Sequence, residues 1–235
     1  MISPAQFETQ RVLASGYAAS QEFSPQRGLT AALRNWADVY GGEVTSLPLP
    51  SGIPQEVPSV LLSSRNEEER LEISRARVNL LWFSRAGSAP ILGTILAPFG
   101  ERLATIFEEC EEQLGRLAVI VSRQASIAQP GIELARQFCR DQFLEGPLNR
   151  PEGFELHAHK TFQLMPDLTV NSWIRIRTAK GGSPEYSYVT VQQDINTLAT
   201  ELQTRQFGRA QIAATFQAVS REVDAILGMY FPSEE

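Results

Sequence analysis

Most of the vocabulary of catalysis is missing from this sequence. It has 2 histidines and 2 cysteines in 235 residues, so a site built on imidazole or thiolate would have to use nearly all of them. There is no Gly-x-Ser-x-Gly elbow, no Gly-x-x-x-x-Gly-Lys-Ser/Thr phosphate loop and no Gly-x-Gly-x-x-Gly turn. Those absences remove the motif-borne routes to hydrolase and nucleotide chemistry. No apolar run approaches the roughly 18 to 20 residues of a membrane span. Residues 1–10 carry Glu8 and other polar groups where a secretory leader would be basic and then greasy. The expectation is a cytoplasmic protein with no membrane partner. Basic excess is also absent: the formal net charge is −6, which disfavours generic attachment to a phosphate backbone. Cys110 and Cys139 each fall on the apolar stripe of a helical pattern and read as small buried hydrophobes rather than a disulfide.

What is present is periodicity. Ser24-Pro25 opens a helical pattern in which Leu29, Ala32, Leu33, Trp36, Val39 and Tyr40 recur at three- and four-residue spacing, and Gly41-Gly42 stops it. A short strand over 43–49 leads into a linker broken by Pro48, Pro50, Pro54 and Pro58, which belongs on the surface or along a sheet edge. Strands follow over 59–63, 70–74 and 77–84; the last is apolar on both sides and reads as central. A long helix then carries the stripe Leu96, Phe99, Leu103, Ile106, Phe107, Cys110 and Leu114, with Gly115 as its cap.

A similar order returns. The stretch 117–121 reads as a buried strand, and Pro130 starts a helix striped by Ile132, Ala135, Phe138, Cys139 and Phe143. Strands over 154–164, 168–178 and 185–195 are joined by turns at Pro166-Asp167 and Gly181-Gly182, and a helix over 210–231 closes the chain. Strand, helix, three-strand meander and helix thus occur twice, with a seam near 114–116. A weaker echo is Val78-Asn79 before Trp82 and Val170-Asn171 before Trp173. The expected fold is α+β: two similarly ordered halves, 1–115 and 116–235, each an antiparallel meander packed against helices, either as two units or as one continuous domain.

Two clusters invite chemistry. His157 and His159 stand two apart on a strand, so period two places them on one side with Glu155, a set that could ligate a transition metal such as zinc. A solvated polar face is the plainer reading, because metal sites usually draw ligands from several elements. Trp173, Arg175 and Arg177 share one side of the next strand, and Tyr186 and Tyr188 share one side of the last. Together they would form a basic, aromatic surface able to stack bases and pair phosphates, although an ordinary or protein-contacting sheet face has the same alternation. The acidic run Glu108, Glu109, Glu111 and Glu112 flanks a helical core stripe and reads as water-facing, and Asp194-Ile195-Asn196-Thr197 reads as a turn.

The stretch Val57-Pro58-Ser59-Val60-Leu61-Leu62-Ser63-Ser64, then Arg70-Leu71-Glu72-Ile73-Ser74 and Arg77-Val78-Asn79, and later Asp194-Ile195-Asn196-Thr197 before the final helix, resembles a sporadically distributed family of uncharacterised bacterial proteins. The likeness spans most of the chain, while residues 1–23 show no clear opening strand. It implies a bacterial accessory role and assigns no catalytic residue. With convergent reactive groups scarce, the sequence predicts a non-enzymatic protein, without a cofactor, acting through a protein partner or self-association. A metal-dependent enzyme at His157 and His159 and a nucleic-acid-binding module are the alternatives.

Overall fold

The computed structural model describes residues 1–20, 22–48, 50, 52–85, 90–146, 148–181 and 186–233. Strand β1 (Glu8–Ala18) is followed by helix α1 (Pro25–Trp36) and by strands β2 (Val44–Ser46), β3 (Val60–Ser63), β4 (Glu69–Ile73) and β5 (Arg77–Phe83). Helix α2 (Leu92–Glu109) leads to strand β6 (Leu114–Ser126), helix α3 (Pro130–Phe138) and the short helix α4 (Asp141–Leu144). Strands β7 (Glu155–Met165), β8 (Leu168–Gly181) and β9 (Tyr186–Thr197) precede helix α5 (Arg209–Tyr230). The proposed strand residues Leu49 and Glu185, and Gly182 of the proposed turn, lie outside the described residues.

The strands form a single antiparallel sheet of 9 in the order β2-β3-β4-β5-β1-β6-β9-β8-β7. Its centre is the ladder between β1 and β6, where Ser15 faces Ala118. A seam between 115 and 116 therefore falls inside β6.

Strand β1 is a correction: residues 8–18 form the middle of the sheet. Its core-facing residues, Val12, Ala14, Gly16 and Ala18, are small, so the alternation carries little hydrophobic signal. They must be small. A Cβ on Gly16 would lie 2.8 Å from Leu114 Cδ1 and 3.1 Å from Phe107 Cε2. Gly115 is likewise no helix cap but a strand residue, because a Cβ there would meet the Leu202 carbonyl oxygen at 1.8 Å. Helix α2 ends at Glu109, so Leu114 belongs to β6.

The helix expected after Pro130 is two helices. Phe138 is held between Phe154, Tyr230 and Phe231 (centroids 5.8–6.3 Å). The chain then leaves helical geometry at Cys139 (φ −109°, ψ 154°), and Phe143 is exposed. Both cysteines are free, Cys110 buried and Cys139 half-buried. Asp194 to Thr197 continue β9 rather than turning. The acidic run is only partly water-facing, since Glu109 accepts from Arg34 and Asn35 of α1.

Helices α1, α2, α3 and α5 share one side of the sheet. Val12, Leu80, Val119, Ile174 and Val191 point to that side and merge with Leu103, Phe107, Leu134, Phe216 and Val223 of the helices in one apolar cluster. Two arginines are sunk in it. Arg102 of α2 meets Glu69 of β4 and the Tyr40 hydroxyl (3.1 Å) just past α1. Arg123 of β6 meets Asp224 of α5 and Gln193 of β9 (3.1 Å). Hydrogen bonding of this kind is what allows a guanidinium to sit among apolar groups.

Candidate binding surface

Side chains alternate along a strand, so a sheet roofed on one side presents a second set of residues on the other. No helix packs on that second face among the described residues, and register decides which side chains meet there.

One cross-strand row runs through Glu72, Asn79, Ser15, Ala118, Asn196, Asn171 and Thr161. Its middle is closed by its own hydrogen bonds. Ser15 Oγ donates to Asn79 Oδ1 (2.8 Å), Asn79 Nδ2 donates to Glu72 Oε2 (3.2 Å), and Arg116 Nη2 donates to Asn196 Oδ1 (3.0 Å). Tyr17, opposite both Arg77 and Arg116, lies under their guanidiniums at 5.7 and 4.8 Å from its ring centre. Arg77 also donates to the Tyr17 hydroxyl at 3.3 Å, while its Nε is buried without a partner. These side chains shield the centre, so Ser15, Asn79, Leu81, Ala118 and Asn196 are buried with no helix over them.

The C-terminal third of the face is open. Register places His159 beside Trp173 and Trp173 beside Asp194; the adjacent row on this side aligns His157, Arg175 and Gln192, and the next aligns Glu155, Arg177 and Thr190. His159 stacks on Trp173 with ring centres 4.0 Å apart and 24° between planes, and Trp173 is still 41% exposed. Tyr186 and Tyr188 form a second ring pair, 5.4 Å apart, at the far end of β9. Every residue singled out on these strands by period two thus reaches the same side.

His157 Nε2 lies 2.7 Å from Glu155 Oε1, but His159 is engaged by Trp173 and, at 3.4 Å, by Asn171 Oδ1. Among the described residues, no three His, Cys, Asp or Glu side chains come together as a metal-binding group. Nor is Cys110 poised to react: burial pushes its thiol up to about 11.

Sequence reasoning missed the arginines of the central strands. Arg11, Arg77 and Arg116 join Arg175 and Arg177 on this side, and among the described residues none of them has a carboxylate partner. Arg11 rests over the Phe83 ring (5.8 Å), Arg177 Nε donates to Thr190 Oγ1 (3.3 Å), and Arg175 makes no polar contact among the described residues. The alternation Arg11, Leu13, Ser15, Tyr17 was the signal that could have found the first of them.

No protein-family model matches this chain, and no curated protein sequence is similar to it.

Proposed function

We propose that this chain is a non-enzymatic binding protein, a bacterial cytoplasmic accessory factor, that engages its partner through the face of the sheet the helices leave bare. One observation carries the reading: every packing helix takes the same side, and the other side presents rings and five arginines with no carboxylate partner among the described residues, rather than groups converging on a pocket. Exposed aromatic and arginine side chains are what binding surfaces concentrate. The test is recovery from the native cell of tagged wild type, of Trp173→Ala with Arg175→Ala, and of a helix-side control, Arg34→Ala. The expected result is a species retained by wild type and control and lost by the sheet-face variant. Equal recovery by all three would remove the reading.

We also read the two halves as a duplication. In its support, β1 and β6 lie side by side at the centre, each flanked by the last strand of its own meander, β5 and β9. Asn79 and Asn196 then take corresponding places beside Ser15 and Ala118. On this reading Val78-Asn79 corresponds to Ile195-Asn196, and the echo at Val170-Asn171 joins non-equivalent strands.

Self-association has its own support at the sheet margin. Strand β7 is 11 residues long, contains no proline and has one edge free among the described residues; such an edge can add a strand from a second copy. A protein that sediments as a monomer at every concentration would exclude that route.

A further inference from the structure

Building on the binding face just proposed, we infer that its C-terminal part takes single-stranded nucleic acid, with bases stacked on the two ring pairs and phosphates on the arginines between them. The order of groups along the face carries the idea. The Trp173–His159 stack lies at one end. Arg175 and Arg177 follow on the same side of β8, and the Tyr186–Tyr188 pair begins where Tyr188 faces Ala179. From Trp173 to Ala179 the strand advances roughly 20 Å. A single strand laid along it meets a stacking platform, two cations and a second platform, the combination by which sequence-tolerant binders hold unpaired bases.

Charge complementarity points the same way. On the helix side, four arginines are neutralised: Arg34 by Glu109, Arg102 by Glu69, Arg123 by Asp224 and Arg209 by Glu101 and Glu108. Arg175 and Arg177 have no carboxylate partner among the described residues, although the protein as a whole carries −6. Two acids share this part of the face, Glu155 hydrogen-bonded to His157 at 2.7 Å and Asp194 to Asn196 at 3.0 Å, and neither forms an ion pair with Arg175 or Arg177. The charge left for a polyanion here is that of the two unpaired guanidiniums. An acidic peptide would use the arginines but leave the rings idle. A duplex keeps its bases stacked on one another, and among the described residues no helix stands on this face to enter a groove.

The test is fluorescence anisotropy of the full chain with labelled 20-nucleotide DNA and RNA of mixed sequence, over a salt series. Saturable binding of either strand that weakens steeply with salt is expected. Trp173→Ala should weaken it by about tenfold and leave the salt slope unchanged. Arg175→Gln with Arg177→Gln should lower that slope by about 1.4, at roughly 0.7 per phosphate contact on a single strand. No saturation with DNA or RNA, indifference to Trp173→Ala, tighter binding of the duplex, or equal displacement by poly-glutamate would each overturn the inference. Should these assays fail while the sheet-face variant still loses its cellular partner, the binding face stands with another occupant. Should both fail, the face has no such role.

Discussion

On the helix-covered side of the sheet, Arg102 keeps a tenth of its side chain exposed and meets both an acid and a phenol; on the bare side, Arg175 meets no polar partner among the described residues. The contrast separates two uses of one residue type. Where water is excluded, a guanidinium persists only if its charge is answered, so Arg102 and Arg123 tie strands to helices. Where water is present, an unanswered guanidinium costs little and stays available to a ligand.

The largest effect that sharpens this contrast belongs to Arg102. Arg102→Ala strips Glu69 and Tyr40 of their shared partner within the packed layer, and a loss of ~3 kcal/mol is expected from breaking a largely buried pair. Arg102→Met with Glu69→Met should recover much of that loss, since no lone charge is left behind. Urea denaturation of both variants measures the difference. A single variant within about 1 kcal/mol of wild type would place this arginine with those of the bare face.

How much of this could be read beforehand follows the same division. Strands β7, β8 and β9 announce themselves by plain alternation, which put His157 with His159 on one side of β7 and Trp173 with Arg175 and Arg177 on one side of β8; register makes those sides the same. Strand β1 does not announce itself. Its core-facing positions are valine, alanine and glycine, the glycine held there by Phe107 and Leu114, and small residues leave almost no hydrophobic period. Missing β1 hid Arg11 and Tyr17, and reading Gly115 as a cap hid Arg116 beside it. Register was illegible too: which residue faces which depends on long-range pairing, and only that pairing brings Arg77 and Arg116 over the same tyrosine.

A smaller effect comes from Tyr40, the phenol of the packed cluster. Burial holds its pKa up to about 12 against an ordinary 10.0, with the nearby Arg102 opposing the shift. The folded protein therefore keeps this proton more tightly than the unfolded chain does. The contribution is complete below pH 10.0 and is lost as pH rises from there to about 12, the sign given by linkage. Tyr40→Phe should flatten that alkaline decline, while costing ~1 kcal/mol at neutral pH for the lost hydrogen bond. Denaturation midpoints measured at neutral pH and at about pH 11 check both halves; a decline equally steep in the variant would assign it to other groups.

The smallest effect is the most discriminating. If Arg175 and Arg177 are held for a ligand rather than for the fold, removing their charge should leave stability within about 0.5 kcal/mol. The direction should be a slight gain, because the two neighbouring cations repel each other and no ion pair is given up. Arg175→Gln with Arg177→Gln, followed by thermal and urea denaturation, gives the number. The gain should shrink in high salt, where screening already removes the repulsion. A loss above about 1 kcal/mol would mean that the bare face is bound into the fold as firmly as the covered one. The two sides of the sheet would then no longer differ in how they use arginine.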